Sequence, residues 1–227
     1  MRRTIFITVF LCPVLLFPLP HKPAASAQIS APAVTTEAVW NPSSEILAAI
    51  REKCGKGDPG NLNDCFLTEM RAAGASQQAV AFAKANAENG LFYVRAFRRA
   101  GPADIAYIQY PFRANELDGV LFVNGDPAVI DVDSEKFVSQ SNFSKDPTYA
   151  ALAKKHPQIS IWPGDRYHTN KPLVKDLGSG EQLFVVEYIL RDGCHACAQI
   201  GTASLNFIFD KQGRFSGIQA PPAISIH

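Results

Sequence analysis

Two cysteines enclose two residues in Cys194-His195-Ala196-Cys197. A C-x-x-C pair can cycle between dithiol and disulfide, because that spacing lets the sulfurs meet, and a protonated histidine inside it would favour a nearby thiolate. Covalent haem attachment needs a histidine directly after the second cysteine; Ala198 stands there, so that chemistry is excluded. Zinc could take Cys194 and Cys197 with His195 or His168, or with Cys54 and Cys65, but the second half of such a ligand set has no characteristic spacing.

Three polar clusters offer further chemistry. Asp131, Asp133 and Glu135 alternate with Val132 and Ser134, which in extended backbone would point all three carboxylates one way. That pattern suits a cation or acid–base work, but lacks the glycine and distant glutamate of an EF-hand loop. A solvent face leaving a hairpin is the simpler account. Asp165, Arg166 and His168 follow a Pro-Gly break, and Arg113, Asn115 and Glu116 follow Tyr110-Pro111-Phe112. Surface loops account for both. Asp131, Asp133 and His168 are the metal candidates. No G-x-S-x-G, H-E-x-x-H, G-x-G-x-x-G or G-x-x-x-x-G-K motif is present, and no cofactor is expected.

The Cys194–Cys197 motif resembles the reactive pair of thioredoxin-like oxidoreductases, including exported ones with a histidine between the cysteines. The resemblance spans four residues. It implies a first cysteine that follows a strand and opens a helix, whose N-terminus lowers the thiol pKa. Here Ala198-Gln199-Ile200-Gly201 leads into another strand, so at most one helical turn fits. The setting favours a structural disulfide that staples a strand connection and resists mild reduction. A redox role would require an exposed sulfur.

The elements that must position these residues follow from periodicity. Asn41-Pro42 has the order of an N-cap and a first-turn proline, with Ile46, Leu47, Ile50 and Cys54 at helical spacing behind it. Leu62, Phe66 and Met70 predict a second helix that Gly74 stops, and Ser76 caps a third carrying Val80, Ala83 and Ala87, with Phe82 at the edge of the stripe and Asn86 off it. From Leu91 the period shifts towards two. Strands are expected over 91–97, 105–110, 120–123 and 128–132, with Asn124-Gly125 as a type I′ hairpin turn. A helix over 147–155, a strand over 159–162, and a meander of strands over 182–190, 204–209 and 214–218 complete the pattern. This is an α+β fold, with N-terminal amphipathic helices packed against a mostly antiparallel β-sheet.

Arg2 and Arg3, the apolar run Ile5–Leu19 and Ala25-Ser26-Ala27 have the organisation of a signal peptide, with cleavage before Gln28. Residues 28–40, rich in Ala, Pro, Ser and Thr, read as a flexible leader, and 41–227 as a single domain. Cleavage removes three basic residues and no acidic one, so the net charge changes from +1 to about −2. No block of like charge remains, which argues against nucleic acid as a partner; no further run is long enough for stable membrane insertion. Four cysteines then remain in an exported chain, which reads as two disulfides. Three pairings are open; the shortest loops join Cys54 to Cys65 and Cys194 to Cys197. The expected role is non-catalytic binding of a protein or small-molecule ligand, or envelope support, in the periplasm or outside the cell. The alternatives are a thiol–disulfide oxidoreductase using Cys194 and Cys197, and a hydrolase using the polar loops around Asp131 and His168.

Overall fold

The computed structural model describes residues 33–56, 59–115 and 117–226. The proposed signal peptide lies outside them. Three helices come first. Helix α1 (Ser44–Gly55) is capped by Ser43, whose Oγ accepts the Ile46 N–H at 3.4 Å, and not by Asn41. A serine hydroxyl can reach the third helical N–H, so the helix starts after Asn41-Pro42. Helix α2 (Leu62–Ala72) ends at Gly74, with φ of 81°; the Ala75 N–H returns to Met70 O and the Gly74 N–H to Arg71 O. That paired return satisfies the orphaned carbonyls and needs the left-handed residue. Helix α3 (Gln77–Ala85) is capped by Ser76 Oγ on the Ala79 N–H, at 3.0 Å. Leu47, Ile50, Phe66, Met70, Val80 and Ala83 share one buried cluster with Trp40 and Tyr93. Cys54 and Cys65 form a disulfide across the connection between α1 and α2.

Phe82 and Asn86 depart from the helical stripe read in the sequence. Phe82 is buried against Phe92, with ring centroids 6.2 Å apart, and Asn86 is buried with its amide donating to Phe82 O. Helix α3 therefore has two apolar contacts, one to the other helices and one to a sheet.

That sheet contains β1 (Tyr93–Arg98), β2 (Asp104–Gln109), β3 (Asp118–Val123) and β4 (Val129–Asp131), antiparallel in that order. Both faces are covered. Ile105, Tyr107, Val120 and Phe122 face one core, and Ala106, Ile108, Leu121 and Val123 another shared with Phe82 and Val34. Near-continuous apolar strands are what a sheet covered on both sides requires.

The cover on the first face is a second antiparallel sheet, where the sequence reading had one. Its strands are β5 (Ile159–Pro163), β6 (Leu173–Asp176), β7 (Gln182–Asp192), β8 (Gln199–Phe209) and β9 (Phe215–Ile226); β5 and β6 both pair with β7. Phe184, Val186, Tyr188 and Leu190 alternate inward on β7, as do Ala203, Leu205, Phe207 and Phe209 on β8. Phe122 stacks on Phe184 with centroids 4.2 Å apart. Three short helices, α4 (Glu135–Val138), α5 (Gln140–Phe143) and α6 (Pro147–Lys155), connect the sheets. The result is a mixed α+β architecture built on antiparallel sheets.

Two local expectations are corrected. Val123 pairs with Val129, so residues 124–128 form a five-residue loop; only Asn124 in it has positive φ, which excludes the type I′ turn. The loop is shaped by docking: the Asp126 N–H donates to Gly213 O, and the Phe215 N–H to Asp126 O. Residues 33–40 are not a loose leader. Val34, Ala38 and Trp40 are buried, the Trp40 N–H donates to Val94 O, and Asn124 exchanges two hydrogen bonds with the Val34 backbone. Three apolar side chains inside a small-residue segment suffice to dock it.

Candidate functional site

The end of β2, the start of β3, the end of β4 and strand β5 leave a groove of about 300 Å³. Asp118, Asp131, Asp133 and Glu135 stand on its wall with Arg113, Tyr110 and Trp162. A second depression of about 440 Å³ shares Asp118 and Pro163 with it and runs on to Asp165, Arg191 and His195.

The carboxylates are placed by a turn instead of by an extended strand. Asp131 closes β4, and its Oδ1 accepts the Asp133 N–H at 3.0 Å; Glu135 opens α4. Asp133 pairs with Arg166, Oδ1 to Nη2 at 2.6 Å. Arg166 is fully buried, donates to the Glu187 carbonyl, and lies 4.6 Å from the centroid of the Tyr188 ring. Tyr188 donates its hydroxyl proton to Val132 O at 2.7 Å. The bracket of Asp133, Arg166 and Tyr188 thus fixes the turn to β7. Burial pulls the Arg166 pKa down, but the Asp133 carboxylate outweighs it and the guanidinium is held above its ordinary value. Burial drives the Tyr188 phenol well above its usual range.

Burial, reinforced by Asp133, raises the pKa of Asp131. Asp118 is raised by burial too, with Arg95 opposing and Asp165 assisting. Its Oδ1 is buried without a hydrogen bond, and the Arg95 guanidinium stands 3.5 Å away, an ion-pair contact too long for a good hydrogen bond. Arg95 itself lies over the Tyr167 ring at 4.2 Å. Arg113 lies 3.4 Å over the Tyr110 ring, and burial raises that phenol's pKa.

The sequence grouped His168 with Asp131 and Asp133. The structure brings His168 to Asp118 and Asp165 instead, with ligand atoms all within 4.8 Å of one another. Among the described residues, these three could together hold a divalent cation. Asp165 Oδ1 also accepts the Tyr167 and His168 N–H groups, which folds the loop back on itself. Asn115 is exposed, and Glu116 lies outside the described residues.

Cys194, His195 and Cys197 occupy the β7–β8 turn, where the two cysteines form a disulfide. The Cys197 N–H donates to Cys194 O, and β8 begins at Gln199, so no helix follows the motif. The His195 ring meets Trp162 edge-on, 5.0 Å between centroids, and Ser160 donates to Gly193 O. The motif therefore overhangs the far end of the groove. Among the described residues, no hydrogen bond joins a hydroxyl or thiol in the groove to a histidine or carboxylate base.

Asp118, Arg95 and Trp162 were not legible as site residues. Asp118 merely precedes an apolar run, Arg95 sits inside a strand pattern, and Trp162 reads as a strand end. Their roles arise from pairing between segments distant in sequence. Comparison with known protein families, curated proteins and solved structures finds no match for this chain.

Proposed function

We propose that the protein is an exported, disulfide-stapled binding domain whose acidic groove takes a small cationic ligand such as an amine. The observation that carries this reading is the convergence of Asp118, Asp131, Asp133 and Glu135 beside Trp162 in one concave surface. Asp133 is met by buried Arg166 and Asp118 by Arg95 at 3.5 Å, whereas no ion pair among the described residues meets Asp131 or Glu135. Burial, with Asp133 beside it, raises the pKa of Asp131; an entering positive charge would favour its ionised form, and an indole face adds cation–π attraction. The same field repels phosphate, which disfavours nucleic acid. Two disulfides fit an oxidising compartment. No helix among the described residues is long and apolar enough to cross a membrane.

Spermidine is the probe. It should raise the thermal midpoint of the protein at low salt. The response should shrink in high salt, because a partly open groove is screened, and should be lost in Asp131→Asn/Glu135→Gln. No shift with spermidine, or an equal shift in the double variant, would refute the reading.

A further inference from the structure

The β7–β8 turn has features that a purely structural staple does not need. Cys194 is exposed while Cys197 is half-buried, so an incoming thiol meets one sulfur in preference to the other. The Cys194 N–H donates to Cys197 Sγ at 3.1 Å. Gly193 has φ of 98°, and a Cβ there would lie 3.8 Å from the same sulfur, so the backbone passes it with no side chain between. Arg191 Nη1 donates to Cys197 O at 2.8 Å, which holds a guanidinium at the ring, and its Nε is buried with no hydrogen-bond partner. His195 stands beside Cys194, and with Arg191 lines the depression that leads to Asp118 and Asp165. Asp192, the acid closest to the motif in sequence, is paired with His156 at 2.9 Å.

We propose that Cys194–Cys197 is a thiol–disulfide exchange site whose substrate is a dithiol carried on a basic peptide segment. A peptide thiolate attacks Cys194 Sγ. The Cys194–Cys197 bond breaks, and its electron pair leaves on Cys197 Sγ, where the Cys194 N–H already donates, while Arg191 holds the carbonyl of the same residue. That thiolate takes a proton from solvent. The second peptide thiol, deprotonated, then attacks the peptide sulfur of the mixed disulfide and expels Cys194 as a thiolate, which is protonated in turn. The peptide dithiol has lost two electrons and two protons and become a disulfide; the protein pair has gained them. Low leaving-group pKa speeds such exchange; an amide N–H at the sulfur and a guanidinium on the same residue's carbonyl favour the thiolate without a helix N-terminus. Basic residues flanking the substrate cysteines would lie along the Asp118–Asp165 wall. This last element rests on the acidic-groove reading; the exchange chemistry does not.

The internal control is Cys54–Cys65, of which Cys54 is buried. Titrating the native oxidised protein with reduced glutathione, followed by alkylation and peptide mass mapping, should open Cys194–Cys197 while Cys54–Cys65 stays closed. In the same titration of wild-type protein, the trapped glutathione adduct should form on Cys194 about tenfold faster than on Cys197. Wild-type protein should oxidise a lysine-flanked dithiol peptide faster than a glutamate-flanked one. If both disulfides open together, the exchange site is refuted without recourse to any variant. Equal adduct rates would refute the assignment of Cys194 as the attacked sulfur. Equal peptide rates would overturn the basic substrate class, and they leave the glutathione result as the separate measure of the exchange chemistry.

Discussion

Arg166 illustrates how a residue in a polar loop becomes part of the interior. Its guanidinium reaches Asp133, the Glu187 carbonyl and the Tyr188 ring at once, which a planar fork can do and an ammonium cannot. Arg166→Ala leaves Asp133 without its cation in a half-buried turn. Loss of one partner of a buried pair costs about 3–5 kcal/mol, so urea denaturation should show a loss of that order, and Arg166→Lys should recover little of it. Asp131 should behave in the opposite sense. Its pKa is raised in the fold, so the ionised form is disfavoured there. The folded protein then binds more protons than the unfolded chain between the unfolded and folded pKa values, and stability falls as pH rises through that window. Asp131→Asn should therefore melt above wild type at neutral pH, with the gap closing at acid pH where both side chains are neutral. A lower melting temperature for the variant at neutral pH would contradict the burial argument. A stabilising change that weakens spermidine binding is the trade expected of a site residue.

At the scale of elements, legibility follows the range of the determining interaction. Helix α6 was readable to its ends because its signals are local: Asp146 accepts the Thr148 and Tyr149 N–H groups, Pro147 follows, and Leu152 recurs on the buried face. Strands β2, β3 and β7 were readable from alternation or continuous apolar runs, and β8 over its second half, 204–209 of Gln199–Phe209. Strand β6 was not, since Leu173 is exposed and Lys175 and Asp176 carry no inward pattern; it exists because Leu173–Asp176 pair with β7. The Asn124-Gly125 turn misled for the same reason, its geometry being set by Gly213, a residue far along the chain. The chemistry-bearing types in the clusters at 131–135 and 165–168 were visible, but their partners Asp118 and Arg95 were not. The Cys54–Cys65 staple belongs to this scale. It closes an eleven-residue separation between α1 and α2, and loop-closure entropy assigns such a link about 2–3 kcal/mol. Replacing both cysteines by serine should lower the thermal midpoint while leaving the spermidine response intact, because the groove lies among β2, β3, β4 and β5. Loss of that response in a still-folded variant would show that the helices govern the groove.

Across the whole molecule, the two sheets have complementary demands. The first sheet is apolar on both faces and must be covered twice; the second offers one apolar face and turns the other outward, where Glu187, Thr202, Ser204 and Asn206 are half-exposed. Packing of side chains alone would leave the angle between the sheets loosely defined. The 124–128 loop fixes it at one end through the Asp126 exchange with the 213–215 backbone, and the bracket of Asp133, Arg166 and Tyr188 fixes it at the groove end. Gly125 is a point of close approach: a Cβ there would stand 2.6 Å from Gly213 O, a backbone atom that cannot rotate away. Gly125→Ala must therefore part the loop from the β8–β9 turn. Overpacking of this kind costs about 1–3 kcal/mol, and native-state hydrogen exchange should show the Asp126 and Phe215 amides losing protection. Gly55→Ala, at a helix position with open space around it, is the control and should leave both amides unchanged. If Gly125→Ala keeps full protection at Asp126 and Phe215, the loop is not the tie between the sheets, and the burden of fixing their angle passes to the groove end, where Arg166→Ala would then loosen both ends together.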